Sequence, residues 1–237
     1  MRTLENDNIF FVSSVGLRLL PEQFGPFLHD YILPNSEEIK AGEWTYRVFR
    51  DISGAQIWIA QREEEAFFHP FYDGKSRLKV KLTEKYDMSG HFYGMVNPRG
   101  EQEGDFPVLF LSPDFFLHQN IILPTTVDVN IIGLVRAIDF YNPAAQNPEF
   151  PLADKSYIPL GLFGEAQGET ALITGEVIDF EEKTNSLTGH SFYWILIKSA
   201  FDTEFDLLAD GRFFSPGELE TGKILQAEVM QLGKIVE

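Results

Sequence analysis

Two segments of this chain, about a hundred residues apart, repeat one another, so any fold it adopts must hold the same local pattern twice. Ser89-Gly90-His91-Phe92-Tyr93 returns as Thr188-Gly189-His190-Ser191-Phe192-Tyr193, at an offset of 99 to 100. The run from Phe106 to Phe116 lies against Phe205 to Phe214 at offsets of 98 and 99. Val129-Asn-Ile-Ile-Gly133-Leu-Val135 then matches Val229-Met-Gln-Leu-Gly233-Lys-Ile235 at an offset of 100. Three matched blocks in one order, with small slips between them, are the mark of a duplicated structural unit.

Each copy reads as strands. Leu78 to Leu82 and Leu172 to Phe180 alternate in hydrophobicity and lead into turn residues at Asp87-Met-Ser-Gly90 and Thr184-Asn-Ser-Leu-Thr-Gly189, the pattern of β-hairpins. Phe92 to Val96 and Phe192 to Ile197 are apolar on both faces and read as central strands. Four or five strands in about 65 residues suit a small closed barrel of the OB type, with half of a β-sandwich as the alternative. The expected fold class is mainly β, with two tandem duplicated OB-like modules behind an α+β N-terminal part. The expected boundaries are an N-terminal segment at 1–70, module 1 at 71–145, a linker or plug at 146–168 and module 2 at 169–237. Within residues 1–70 the pattern predicts a strand near Ile9 to Val15 and a helix from Pro21 to Tyr31. A hairpin of Trp44–Arg50 with Ala55–Ala60 turns at Asp51-Ile-Ser-Gly54, where Gly can take positive φ. In the linker, Tyr157 to Phe163 is too apolar to float free and is expected to plug into a core.

Composition narrows the function. The chain has 237 residues, 22 of them Phe, and no cysteine. Disulfides, thiolate metal sites and cysteine nucleophiles are therefore excluded. The formal net charge is −17, and residues 146–237 alone carry sixteen acidic against six basic side chains. Such a surface repels the phosphates from which nucleic-acid binding draws its affinity, so a nucleic-acid partner is not expected. No apolar run approaches the ~20 residues that span a bilayer, and acidic residues precede Ile9 where a secretory signal carries basic ones. A cytoplasmic protein is expected, with no membrane association.

The run Ala153 to Phe163, Thr174-Gly175-Glu-Val177, Thr184-Asn185-Ser-Leu-Thr-Gly189, Phe192-Tyr193-Trp194, Asp206 to Asp210 and Leu232-Gly233 resembles a family of uncharacterised bacterial proteins. The resemblance covers residues 153–237. It implies a stable C-terminal OB-like module and carries no assigned activity.

A search for chemistry finds fragments of motifs. Gly74-Lys75-Ser76 ends like a phosphate-binding loop, but His69 stands where the leading glycine is required. Asp128-Val-Asn130 opens like a calcium loop, but Ile132 occupies the third ligand position. No metal site and no cofactor are expected. His190, with Asp202 or Asp206, could supply a base and carboxylate, although no nucleophile elbow accompanies them. Asp202, Glu204 and Asp206 alternate and are expected on one face of a strand. Arg77, Lys79 and Lys81 also alternate, and with Tyr93 or Tyr193 for stacking they could track a single strand of nucleic acid, or simply guard an exposed edge. The reading that follows is a non-enzymatic binding or interaction protein with a protein partner. The alternatives are a hydrolase centred on His190, with or without a divalent metal, and a single-stranded nucleic-acid binder.

Overall fold

The structure, a computed structural model, describes residues 1–3, 10–87, 90–97, 105–140, 153–162 and 168–236. The chain opens with β1 (Arg2–Thr3), α1 (Phe10–Ser13) and α2 (Pro21–Phe27). Next come β2 (Glu37–Ala41), β3 (Trp44–Arg50), β4 (Ala55–Arg62) and β5 (Glu65–Tyr72), which form a four-stranded antiparallel sheet in sequence order. A ten-stranded sheet holds β1 and the remaining strands. These are β6 (Leu78–Tyr86), β7 (His91–Val96), β8 (Phe106–Leu111), β9 (Thr125–Phe140), β10 (Ser156–Pro159), β11 (Thr170–Thr184), β12 (Ser191–Lys198), β13 (Glu204–Asp210) and β14 (Ile224–Val236). The chain is mainly β, as its alternation predicts.

At the N-terminus the expected strand near Ile9 to Val15 is replaced by a helical turn; Ile9 itself lies outside the described residues. Val12, Ser13, Ser14 and Val15 are all buried, so this segment has no solvent face for a period of two to serve. Its backbone instead closes on itself, with Leu17 N donating to Val12 O at 3.0 Å. The helix predicted from Pro21 forms as α2 and continues into a wider turn at Leu28–Ile32. The predicted hairpin forms too. Gly54 adopts a φ of 92° and donates to Asp51 O at 2.9 Å, and the Asp51 carboxylate accepts from Ser53 N at 2.9 Å and from the Ser186 hydroxyl.

In the large sheet β6, β7 and β8 form one antiparallel meander, and β11, β12 and β13 another. β9 and β14 tie them together through twelve antiparallel register pairs, with Ile132 opposite Leu232. The first part of β9 also pairs with β6, and its middle runs parallel to β13. The first part of β14 pairs with β11, and Leu232 pairs in parallel with Leu111 of β8. Two closed rings of five strands result, β6–β7–β8–β14–β9 and β11–β12–β13–β9–β14. Each uses β9 and β14, so each ring contains a strand from the other half of the chain. The expected boundaries at 71–145 and 169–237 each enclose one meander, and ring closure crosses between them. Most of the expected linker, 146–152 and 163–167, lies outside the described residues. Within it β10 adds to β11, and Tyr157 stacks on Phe205 at 5.6 Å between ring centroids.

The alternate residues facing inward from both rings form one continuous core, including Val80, Phe92 and Phe110 on one side and Ile173, Ile195 and Leu207 on the other. Each such side chain contributes roughly 1.5–3 kcal/mol when removed from water. A second core joins the four-stranded sheet, through Tyr46, Trp58 and Phe71, to outward-facing Phe192, Trp194 and Leu208. Two glycines mark the shared strands. A Cβ on Gly133 would stand 2.9 Å from Leu207, and one on Gly233 would overlap the Phe110 ring. Among the described residues no helix is long and apolar enough to cross a membrane.

Candidate functional site

Ionisable groups in this protein divide into those consumed by the fold and those left facing a cleft. Asp206 belongs to the first kind. It is fully buried and accepts from Lys75 N at 3.0 Å, Ser76 N at 2.8 Å, Ser76 Oγ at 2.5 Å, Asn130 Nδ2 at 3.1 Å and Trp194 Nε1 at 2.7 Å. Gly74 is required there because a Cβ would overlap the carboxylate. The Gly74-Lys75-Ser76 run is thus a loop wrapped round an internal carboxyl group. Its backbone N–H groups point inward, those of Lys75 and Ser76 at Asp206 and that of Gly74 at Asn130 Oδ1 at 3.1 Å, and not outward at a phosphate.

Asp210 is likewise buried, between Arg18 at 2.7 Å and Arg212 at 2.8 Å. Burial alone would raise its carboxyl, but hydrogen bonds from Arg212 and Arg18 outweigh it and hold the group below the usual carboxylate range. His190 sits in a closed turn, where its carbonyl accepts from Asn185 N at 3.0 Å and Gly189 N donates to Asn185 O at 2.9 Å. Asp202 follows the far end of β12, whose eight residues span about 26 Å. Asp206 pairs with Leu196, six positions along from His190, or roughly 20 Å. His190 is therefore brought to neither carboxylate. Nor do Asp202, Glu204 and Asp206 share one strand face: β13 starts at Glu204, and Asp202 lies in the preceding turn.

A cleft of about 430 Å³ opens between the start of β6, the end of β7 and the β12–β13 turn. Arg77, just before β6, and Lys79 on it form one wall, Val96 and Asn97 at the end of β7 adjoin them, and Phe201 to Glu204, from the turn and the first residue of β13, form the other, where Asp202 lies 3.6 Å from Lys198 Nζ. Arg77 Nη1 donates to Gly74 O at 3.0 Å and Ser76 O at 2.7 Å, so the loop around Asp206 also orients this guanidinium. Arg18, Arg47, Arg50, Arg62, Arg136 and Arg212 each lie within 4.0 Å of a carboxylate. Arg77 has no such partner among the described residues. In a chain of net charge −17, that is a specific vacancy in the pairing scheme.

The turn opposite is strained. Phe201 and Asp202 are consecutive non-glycine residues at φ of 54° and 59°, a conformation that costs ~1–2 kcal/mol per residue. It is pinned from both sides, by Ser199 N donating to Thr203 O at 2.8 Å and Ser199 Oγ donating to Thr174 O at 2.7 Å. The strained turn presents Phe201 with 44% of its surface exposed, its ring nearly parallel to that of Phe106 at 6.4 Å between centroids. It also leaves Thr203, only 5% exposed, with an Oγ1 that has no hydrogen-bond partner among the described residues. An unsatisfied buried hydroxyl costs ~1–3 kcal/mol, and backbone strain beside a cleft is a pattern found at ligand sites.

Of the residues predicted from the sequence, Arg77, Lys79 and Asp202 meet in this cleft. Lys81 continues the exposed face of β6 opposite Met95, with Tyr93 further along β7 opposite Glu84, while Tyr193 packs edge-on against Phe214 at 5.0 Å. Lys79 is held by Asp128 at 3.3 Å. Phe201, Thr203 and Asn97 were not legible as site residues. Only an aromatic beside Asp202 in a short connection hinted at the first, and nothing local marks the other two.

A second cluster joins the three parts of the molecule: His69 on β5, His91 on β7 and Glu169 before β11. His91 Nε2 lies 3.3 Å from Glu169 Oε2, off the line of a good hydrogen bond. Burial pushes the His69 imidazole down to about 4, with the His91 charge acting in the same direction and Glu169 against it. Between pH 6.5 and 4 the unfolded chain binds a proton at this position that the folded chain refuses, so stability falls as pH is lowered through that window. The loss expected from His69 is ~1–2 kcal/mol, less than the full shift implies because the side chain keeps some solvent contact. Melting curves of wild type and His69→Gln from pH 7 to 4 should converge in slope difference by that amount; identical slopes would show that this proton is not coupled to folding.

Comparisons of the chain with protein-family models, with curated proteins and with solved structures find no match.

Proposed function

We propose that this is a non-enzymatic binding protein, built by duplication from two OB-like barrel modules that share their last strands, with its ligand in the Arg77–Thr203 cleft. Several features support the duplication: both meanders close through the same pair of long strands, Gly90 and Gly189 take φ of 69° and 71° at matching turns, and Gly133 and Gly233 clear the same kind of inward contact. The observation that carries the binding reading is Arg77. A guanidinium already oriented by two carbonyls, lining a cleft and with no carboxylate within 4.0 Å among the described residues, is preorganised for something the chain itself does not supply.

A second reading, single-stranded nucleic acid along Arg77, Lys79 and Lys81, draws on Lys81 and Tyr93 lying on adjoining strands. The Asp128 contact to Lys79 and the net charge work against it.

Saturation-transfer NMR on the full chain, in a small-molecule extract of the cells that make it, tests the proposal. A discrete set of enhanced ligand resonances is expected with wild type, and its loss with Arg77→Ala at unchanged circular dichroism. No enhancement, or equal enhancement by both proteins, would overturn the binding reading at this cleft.

A further inference from the structure

One cation is left over when the ion pairs around the cleft are drawn, and it selects the ligand. Lys79 Nζ lies 3.3 Å from Asp128. On the opposite wall Asp202 lies 3.6 Å from Lys198 Nζ, and Glu204 is the register partner of Lys198, so one ammonium serves both acids. Arg77 alone among the cations lining the cleft has no carboxylate within 4.0 Å among the described residues. Its Nη1 donates to Gly74 O and Ser76 O. No described residue takes its Nε–Nη2 edge, a fork that fits a carboxylate with two parallel bonds. A dianion would bring a second negative charge that no further unpaired cation among the described lining residues meets, across from Asp202 and Glu204, and like charges so placed oppose binding. The turn wall also carries the exposed Phe201 ring, against which a flat apolar group can lie. The volume of about 430 Å³ falls at the small-ligand end of the range for binding pockets.

We infer that the cleft binds a small aromatic monocarboxylate, its carboxylate on the open edge of Arg77 and its ring against Phe201. The inference rests on the proposed binding function and names the ligand class for that same site. The Ser199 bonds that pin the turn and the two carbonyls that hold the guanidinium order both walls before a ligand arrives, which lowers the entropy lost on binding.

Saturation-transfer NMR titration of the full chain at pH 7 with benzoate, benzamide, phenyl phosphate and acetate tests this. Benzoate is expected to bind at least ~10-fold more tightly than benzamide, which keeps the ring and the shape but exchanges charge-assisted bonds for neutral ones. It should also bind more tightly than acetate, which has no ring, and than phenyl phosphate, which carries the second charge. Arg77→Ala should abolish benzoate binding. Phe201→Leu should narrow the gap between benzoate and acetate several-fold and leave acetate unchanged, a split that general loosening of the turn would not give. Equal binding of benzamide and benzoate would overturn the inference, as would benzoate binding that survives Arg77→Ala. Tighter binding of phenyl phosphate would overturn the monocarboxylate and leave a phosphate site. Silence of all four probes would also overturn it, and whether the extract resonances persist then tells whether binding itself stands.

Discussion

Replacement of Asp206 by alanine is expected to lower the melting temperature by roughly 10–15 °C. The buried carboxylate accepts five hydrogen bonds from β12, β9 and the Gly74–Ser76 loop, and its removal leaves two backbone N–H groups and an indole N–H without an acceptor and takes one of two acceptors from the Asn130 amide. Each buried donor stripped of its acceptor costs ~1–3 kcal/mol, so the set costs roughly 3–5 kcal/mol, and ~1 kcal/mol moves the midpoint of a chain this size by ~2–4 °C. Asp206→Asn keeps the shape and one acceptor oxygen, so it should fall between wild type and alanine. The effect extends to the cleft: Arg77 is oriented by Gly74 O and Ser76 O, which the Asp206 bonds hold in place. Ligand affinity should therefore drop in Asp206→Asn even at temperatures where it is fully folded. A melting temperature of Asp206→Ala within 2 °C of wild type would mean that water replaces the carboxylate and the loop is anchored otherwise.

The second large effect concerns the shared strands. Expressed alone, residues 141–237 should fail to give a cooperative thermal transition, although they contain a complete meander and its long strand. In that fragment β14 loses twelve register pairs with β9, and β13 loses the parallel partner that closes its ring. The inward faces of both rings also belong to one core, so the fragment would expose Leu207, Val229 and their neighbours to water. Mixing it with residues 1–140 should restore dispersed amide resonances and a single transition. A cooperative transition of 141–237 as a monomer would show a self-sufficient module and would argue that the strand exchange contributes little.

The features that could be read from the sequence are those with local causes. Alternation at Leu78 to Leu82 placed β6, because successive side chains of a strand face opposite ways. Asp51 to Gly54 placed a turn, because a glycine can take the φ of 92° that Gly54 has. The Gly90 and Gly189 turns were visible for the same reason. Where no solvent face existed, as at Val12 to Val15, the same reasoning predicted a strand and the chain formed a helical turn.

The chemistry of the acidic residues was legible only as a pattern. Asp202, Glu204 and Asp206 are evenly spaced, yet one lies in a strained turn, one faces the cleft and one is sealed by donors from as far as 131 positions away. Arg18 meets Asp210 across 192 positions. Nothing in the neighbouring residues of either predicts this, because the fate of a charge depends on how water is excluded around it and on which donors replace that water.

The sequence by itself thus determined the strands, the turns and the recurrence of one pattern at an offset of about a hundred, all of which follow from backbone sterics and a period of two. Only the tertiary structure decided that β9 and β14 serve both rings, that Asp206 and Asp210 are structural, and that Arg77 lines a cleft with no carboxylate within 4.0 Å of it among the described residues. Those outcomes arise from pairings between distant segments, whose free energy depends on how the whole chain closes and not on any one stretch of it.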